Sequence, residues 1–214
     1  MPKPEKEDHE KKLKILAASD FHGLEVVSRD LAKKAVKEKV DLVVIAGDLL
    51  DFGDYAKNMI KPFVEKNIAV LFVPGNHDTP EAVENFTQEY KIKNISGSYA
   101  IVGYVGFFGS GGSAHLPHFP FFVSEKDMYD NLKKGYEKVR SAKKKIMVTH
   151  EHPAKGSAEK FSGFPGSTSV RAAIEKFQPE IHVNGHIHEM EGFEEKIGRT
   201  RTITVGKRGT IIEV

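Results

Sequence analysis

Residues of the kinds that bind divalent metal ions lie in five short polar segments spread along the chain. Together these segments offer two aspartates, one asparagine and four histidines as candidate ligands. Carboxylate and amide oxygens favour hard cations, whereas imidazole favours Zn, Mn, Fe, Co or Ni. The chain has no cysteine, which excludes disulfides, thiolate metal sites and cysteine nucleophiles. The seven candidate ligands are Asp20, His22, Asp48, Asn76, His150, His186 and His188.

Seven candidates are more than one metal site needs, because a single site takes about four to six ligands. The surplus predicts two divalent ions, and one carboxylate must then bridge them. Two ions about 3.5–4 Å apart can hold both the attacking and the leaving oxygen of an in-line displacement. We predict Mn, which suits a mixed set of oxygen and nitrogen ligands, with Fe, Zn, Ni or Co as alternatives.

The segments that precede these residues are short apolar runs, which are typical of buried strands. In α/β proteins, ligands collect beyond the carboxyl ends of the strands. We therefore expect the five polar segments to converge on one point at that edge. The predicted strands are residues 13–18, 41–46, 68–73, 145–148 and 180–183.

Helical patterns alternate with these strands, and this alternation predicts an α/β fold. Pro62 marks a break or a kink in the second helix. The predicted helices are residues 23–39, 54–67, 80–90, 125–140 and 168–177.

The centre and the tail of the chain have more β patterns and predict a second sheet packed on the first. Residues 98–108 have the pattern of a strand interrupted by Gly103 and Gly106, and residues 197–214 that of a closing antiparallel hairpin. A loop rich in glycine, proline and aromatic residues, Gly109–Phe122, follows the first of these. It could cover the substrate and stack on a base, or it could be a packed surface loop or a dimer contact.

The composition bounds the kinds of function that the chain can have. Its 214 residues fit one domain, and we expect a charged leader at residues 1–12 and one domain at residues 13–214. A net charge of +2, from 32 basic and 30 acidic residues, argues against a protein that coats nucleic acid. No apolar run approaches the roughly 20 residues that span a bilayer, and the leader is unlike a signal peptide. We therefore expect a cytoplasmic protein. Many charged residues and only two glutamines are a thermophile-like composition, although the charged surface of a mesophilic protein would fit as well.

In their order along the chain, the motifs resemble those of the calcineurin-like metallophosphoesterase superfamily. Each motif alone is a weak signal, but the ordered set is specific and covers nearly the whole chain. No arginine stands where the phosphoprotein-phosphatase branch carries its phosphate clamp, so we do not expect protein phosphatase activity. The motifs GNHD, THEHP and NGHIHE are more similar to the small class III cyclic-nucleotide phosphodiesterase-like branch, which handles diesters and often simple aryl phosphates. The matching motifs are D-x-H at 20–22, G-D at 47–48, G-N-H-D at 75–78, a later His150 and G-H-x-H at 185–188.

The resemblance implies a four-layer α/β/β/α sandwich of two mixed β-sheets flanked by helices. It also divides the candidate ligands between two metals. The first metal would be bound by Asp20, His22 and His188, the second by Asn76, His150 and His186, and Asp48 would bridge them.

The resemblance further implies that His77 is not a ligand. It would contact the phosphate and protonate or hydrogen-bond the leaving oxygen, with Asp78 or a backbone group orienting it. A hydroxide bridging the metals would be the nucleophile. Asp51 could support the metals or be a solvated loop acid. We expect His182 to be a core histidine and His152 to be a loop residue, although a contact near the metals is left open for His152.

The prediction is therefore a phosphoesterase that hydrolyses phosphodiesters, phosphomonoesters or both, acting on a small phosphate ester. One alternative is a non-catalytic scaffold of the same fold, but such a protein would have lost ligands or the GNHD histidine. The other is a nuclease, which would need a basic groove or an added DNA-binding domain. We expect no stable nucleic-acid complex and no membrane partner, and leave a homodimer open.

Overall fold

The computed structural model describes residues 12–52 and 58–214. Residues 1–11 of the predicted leader lie outside the described residues. The described residues contain two β-sheets, each with its own layer of helices. No described helix is both long enough and apolar enough to cross a membrane.

The first sheet contains five of the described strands in the order β11-β1-β2-β3-β4. β1, β2, β3 and β4 run parallel to one another, whereas β11 is antiparallel to β1. The three central strands therefore end at the same edge. The strands are β1 Lys14–Ala18, β2 Leu42–Ala46, β3 Val70–Val73, β4 Lys93–Asn94 and β11 Thr210–Glu213.

The second sheet contains six of the described strands in the order β5-β6-β7-β8-β10-β9. Its four central strands are parallel, and the strand at each edge is antiparallel to its neighbour. Both sheets are thus mixed. The strands are β5 Tyr99–Val102, β6 Val105–Ser110, β7 Lys144–Thr149, β8 Ile181–Asn184, β9 Glu194–Ile197 and β10 Thr200–Thr204.

Six described helices complete the layers. Helices α1, α2 and α3 pack on the outer face of the first sheet, and α4 and α6 pack on the outer face of the second. Thr79, Ser124 and Ser167 cap α3, α4 and α6 by accepting a hydrogen bond from a backbone amide of the first turn. The helices are α1 Glu25–Glu38, α2 Lys61–Val64, α3 Pro80–Tyr90, α4 Glu125–Val139, α5 Ser157–Ser162 and α6 Thr168–Phe177.

Alternation along the strands builds the sandwich. In β1, Leu16 faces the helices, whereas Ile15 and Ala17 face the second sheet. Residues of both sheets, such as Val44 and Val148, meet in one apolar cluster between them. Because successive side chains of a strand point to opposite faces, strands buried on both faces are continuous apolar runs. The predicted four-layer α/β/β/α sandwich is confirmed.

Two predicted elements differ from the structure. The helix predicted at residues 54–67 is described only from residue 58, and helix there is confined to Lys61–Val64, with Pro62 in its first turn. The predicted tail hairpin is wrong, because β10 lies in the second sheet and β11 in the first. Alternation identifies a strand, but it does not identify the partner of that strand.

The sequence also misplaced one interruption. Gly103 turns the chain between β5 and β6 with a φ of +57°. Gly106 instead lies within β6, where a Cβ atom would collide with Val139 of α4. This glycine permits close packing of the helix on the sheet rather than a break in the strand.

Candidate metal centre

The structure brings the seven candidate ligands together beyond the carboxyl ends of five strands. The polar segments follow β1, β2 and β3 of the first sheet and β7 and β8 of the second. The ends of both sheets meet there, because the two parallel sets of strands point to the same edge of the sandwich. The last four residues of each strand are buried, and the strand fixes the backbone from which its polar segment projects.

One group of ligand atoms comes from Asp20, His22 and His188, and these atoms lie within 4.8 Å of one another. The Nε2 atoms of His22 and His188 are 3.1 Å apart. The Nε2 atom of His188 is 3.4 Å from Oδ1 of Asp20. Two imidazole nitrogens and a carboxylate that face one point form a donor set that fits a divalent cation.

A second group comes from Asn76, His150 and His186. Nε2 of His150 lies 2.9 Å from Oδ1 of Asn76 and 3.2 Å from Nδ1 of His186. Nδ1 of His150 donates to the carbonyl oxygen of Ala46 at 2.8 Å. Because Nδ1 is occupied by this hydrogen bond, Nε2 is the atom of the ring that can bind a metal.

Asp48 lies between the two groups. Its Oδ2 is 3.3 Å from Nε2 of His150 and 3.8 Å from Nε2 of His22. Its Oδ1 accepts a hydrogen bond from the backbone amide of His77 at 2.9 Å. One carboxylate oxygen thus faces a member of each group, as a bridging ligand requires.

The electrostatics of this cluster suit cations. Burial alone would raise the pKa of Asp48, but the facing His150 and hydrogen bonds hold it below its ordinary value. Burial would lower the pKa of His150, but Asp48 and Asp20 raise it. Burial, reinforced by His150, holds the pKa of His186 well below its ordinary value, so this ring is neutral, as a ligand must be. The buried carboxylates therefore attract positive charge to this point.

Backbone strain is concentrated at the same place. A left-handed φ is uncommon for residues other than glycine and is often found at functional sites. Gly47 and Gly75 lie beside these residues, where a Cβ atom would collide with His150 or Asp48. Four of the seven candidates have a left-handed backbone: Asp20 (φ 59°), His22 (φ 49°), Asp48 (φ 53°) and His186 (φ 74°).

His77 lies beside the cluster and faces the cavity above it. Nδ1 of its ring is 3.0 Å from Oδ1 of Asp51, and Nε2 is 3.9 Å from Oδ2 of Asp48. The ring lies edge-on to His22, with centroids 4.7 Å apart. A proton on Nδ1 donated to Asp51 leaves Nε2 directed toward the ligand cluster.

Asp78 makes no hydrogen bond with the His77 ring, although the resemblance offered Asp78 or a backbone group as the partner that orients it. Its buried carboxylate instead accepts backbone hydrogen bonds from Gly75 at 2.8 Å and from Leu50 at 2.9 Å. Burial, reinforced by Asp48, raises the pKa of Asp78 to about 7. Asp78 thereby joins the loops after β2 and β3, and Asp51 is the acid that contacts His77. Both acids can be found in the sequence, but only the loop geometry shows which of them contacts His77.

Three buried polar residues lie behind the ligands. Glu151 accepts from the backbone amide of Ala114 at 2.7 Å and contacts Nδ1 of His115 at 2.5 Å. The ring of His152 stacks on that of His186 with centroids 6.0 Å apart. His182 contacts Oγ1 of Thr149 within the core at 2.8 Å, and burial lowers its pKa to about 3. The sequence anticipated the place of His182 but gave no sign of the role of Glu151.

Several solved structures share this fold, and three of them are compared below. A protein of Thermus thermophilus has a TM-score of 0.76 and 19% identity over 91% of this chain and 89% of that one. A dimetal phosphatase from Danio rerio has a TM-score of 0.63 and 13% identity, with 91% and 88% covered. An archaeal phosphodiesterase has a TM-score of 0.54 and 14% identity, with 94% and 98% covered.

At these identities, the likeness concerns the fold. A search of curated proteins gave no match. The sequence model of the calcineurin-like phosphoesterases matches residues 13–190, which is well over half of the chain. The chain therefore belongs to the calcineurin-like phosphoesterase family.

Proposed function

We propose that this protein is a dinuclear metal-dependent hydrolase of small phosphate esters. The observation that carries the proposal is the pairing of two donor groups around one shared carboxylate. Asp20, His22 and His188 form one group, and Asn76, His150 and His186 form the other, through the contacts of His150. Asp48 faces both groups.

The donor set fits two divalent cations, and we propose Mn as the metal. When bound, such ions supply Lewis acidity toward phosphoryl oxygens and activate water near neutral pH. The chain's part is to hold the anionic and imidazole donors in place. The strained backbones at Asp20, His22 and Asp48 fix three of these donors.

His77 supplies the proton for the leaving oxygen in this proposal. Its ring faces the cavity that also exposes the candidate ligands, and its Nδ1 is held by Asp51 at 3.0 Å. Asp51 fixes the tautomer and orientation of the ring and stabilises it while it carries a second proton. A protonated Nε2 can then donate to an alkoxide as the P–O bond breaks. Asp51 thus acts as a positioning residue for His77.

Metal removal tests the proposal. The protein is treated with a chelator, dialysed and assayed with p-nitrophenyl phosphate and bis(p-nitrophenyl) phosphate before and after each divalent metal is returned. We expect activity to vanish and to return best with Mn²⁺, and metal analysis to find about two ions per chain. Full hydrolysis by metal-free protein would overturn the proposal.

Substitution of the shared carboxylate is a sharper version of the same test. Asp48→Asn keeps the shape of the side chain but removes the charge that separates two cations, which repel strongly at close range. We expect the variant to lose at least one metal and nearly all activity. Asp30→Asn is a matched control, because Asp30 lies on the exposed face of α1 and its carboxylate pairs with Lys33 on the same helix. Normal metal content and turnover in Asp48→Asn would show that another residue bridges the ions.

A further inference from the structure

An open cavity of about 480 Å³ lies over the candidate metal centre. Such a volume falls within the range of about 300–1,000 Å³ that is typical of small-molecule sites. Outside the candidate ligands and His77, the cavity lining combines apolar side chains with two polar ones, Ser162 and Glu189. Leu116 and Phe119 reach the cavity from the loop after β6, and Phe164 reaches it from the segment after α5. The metal ligands form the floor.

Two phenylalanines of the lining contact histidines of the site, one of them His77 and the other the candidate ligand His186. The Phe119 ring lies edge-on to His77 with centroids 5.2 Å apart. The Phe164 ring lies edge-on to His186 with centroids 5.1 Å apart. Both rings are half-buried, so each still offers apolar surface to the cavity. An organic group attached to a phosphate on the floor can therefore contact these rings.

The wall that carries Phe119 is fixed to the metal centre rather than loose. The buried carboxylate of Glu151, which directly follows the candidate ligand His150, binds the Ala114 amide and the His115 ring. The amide of Phe121 donates to the carbonyl oxygen of Asn76 at 3.3 Å. Both ends of this segment are therefore tied to residues at or next to the ligands, which holds the Phe119 wall in place.

The charges of the cavity point to an uncharged organic group. Among the described residues that line it, there is no lysine or arginine. Apart from the candidate ligands and His77, Glu189 is the one charged side chain among the described lining residues. Away from the metal centre, the lining therefore offers no cationic side chain to a second phosphate or carboxylate, and Glu189 repels such a group.

We propose that this cavity selects phosphate esters whose organic part is flat, apolar and uncharged. Phe119 and Phe164 contact that group, and Glu189 disfavours substrates with a second anionic group. The inference rests on the proposed function, since it concerns the organic side of the same ester. It assigns the specificity of the site to residues that are not metal ligands.

Two phosphonates test the apolar walls by binding alone. Phenylphosphonate and methylphosphonate present the same anionic head and differ in the organic group. Their affinities for the metal-loaded protein are measured by calorimetry and as inhibition of p-nitrophenyl phosphate hydrolysis. Removal of an aromatic platform from under a stacked ring typically costs about 1–3 kcal/mol, which is about 5- to 150-fold in affinity. We expect the wild type to prefer phenylphosphonate by about tenfold.

Phe119→Ala should remove most of that preference while leaving methylphosphonate binding and metal content unchanged. Phe119→Leu retains an apolar side chain and should keep an intermediate preference. Phe122→Ala is the matched control, because Phe122 is 43% exposed on the same loop and does not line the cavity. Thermal unfolding of each variant shows that its fold is intact.

A charged probe tests Glu189. 4-Carboxyphenylphosphonate adds one carboxylate to phenylphosphonate, and we expect the wild type to bind it less tightly. Glu189→Gln should recover about two- to fivefold of that loss, the modest effect expected of an exposed charge, and should not change phenylphosphonate binding. An identical penalty in wild type and Glu189→Gln would remove Glu189 from the proposal.

The two proposals fail in different ways. No hydrolysis of any ester by the metal-loaded wild type would contradict the proposed function, while calorimetry would still report the phosphonate preference. Equal affinities for phenyl- and methylphosphonate, or a preference unchanged in Phe119→Ala, would overturn the apolar subsite while hydrolysis of p-nitrophenyl phosphate left the proposed function standing.

Discussion

The contact between His77 and Asp51 allows the leaving-group step to be separated from metal binding. In Asp51→Asn, the partner of Nδ1 remains similar in shape but loses its charge. A hydrogen bond to a charged group contributes about 1.5–3 kcal/mol, and the Asp51 side chain is 58% exposed, so solvent screens part of that. A remaining effect of about 1–2 kcal/mol corresponds to about 5- to 30-fold in rate. His77→Ala should cost more, about 10²–10⁴-fold.

The leaving group decides where that loss is seen. With p-nitrophenol, which leaves readily without a proton, both variants should retain most of the wild-type turnover. With a poor alkoxide leaving group, as in a nucleoside diester, Asp51→Asn should lose about 5- to 30-fold and His77→Ala considerably more. The assay measures kcat for both esters at saturating Mn²⁺, with metal content determined on the same samples and Asp30→Asn as the control.

A double variant tests whether Asp51 acts through His77. If it does, Asp51→Asn should add nothing to His77→Ala, because the residue that it positions is already missing. Additive losses would show an independent role for Asp51. Equal losses on both esters would make His77 a phosphate-binding residue rather than an acid. Loss of a metal from either variant would place the residue among the ligands and refute the reasoning.

Three further predictions concern the framework of the site. Gly75→Ala places a Cβ atom against the Asp48 carboxylate, and we expect a metal titration to show weaker binding. Gly163→Ala is the control, because no atom lies near its Cβ position. Since Gly163 has a left-handed backbone, that variant should lose stability but not metal affinity. Asp78→Ala strands the buried amides of Gly75 and Leu50 and should lower the free energy of unfolding by about 2–3 kcal/mol in denaturant titrations. Burial would raise the pKa of Glu125, but hydrogen bonds from the start of α6 lower it; its stabilisation is therefore present above its unfolded pKa and lost as the pH falls. Glu125→Gln should cost about 1 kcal/mol at pH 7, and the difference from wild type should shrink below about pH 4.

The framework of the centre could be predicted because each ligand motif follows a buried strand. An apolar run such as residues 41–46 can hardly be anything but a central strand, and parallel neighbours bring their carboxyl ends to one edge. The tail was harder because β-strand pairing is non-local: the same alternation suits a hairpin or two strands in different sheets. The short α5 Ser157–Ser162 also escaped prediction, since its few residues have too little periodicity to be distinguished from loop.

The choice between Asp51 and Asp78 shows a different limit. Both acids lie close in sequence to a candidate ligand or to His77, and the resemblance offered Asp78, the direct neighbour of His77, or a backbone group as the partner that orients it. Adjacent residues generally point in different directions, and the Asp78 carboxylate turns to the amides of Gly75 and Leu50 instead. Asp51 lies within hydrogen-bond distance of His77, in a loop that has a left-handed backbone at Asp48. The sequence does not reveal such a conformation at a residue other than glycine.

The substrate specificity of the site is harder to predict from the sequence than its chemistry, as Phe119 and Phe164 illustrate. Metal ligands are polar residues, and polar residues that directly follow buried strands indicate a functional site, so their types and order predict the chemistry. A phenylalanine in the sequence does not by itself indicate a binding site, because many of this chain's largest buried side chains are phenylalanines of the core, including Phe72 and Phe107. Phe119 and Phe164 differ from those only in being half-buried beside a candidate ligand or acid. That difference arises from loops held by Glu151 and by backbone contacts, and it therefore becomes visible only in three dimensions.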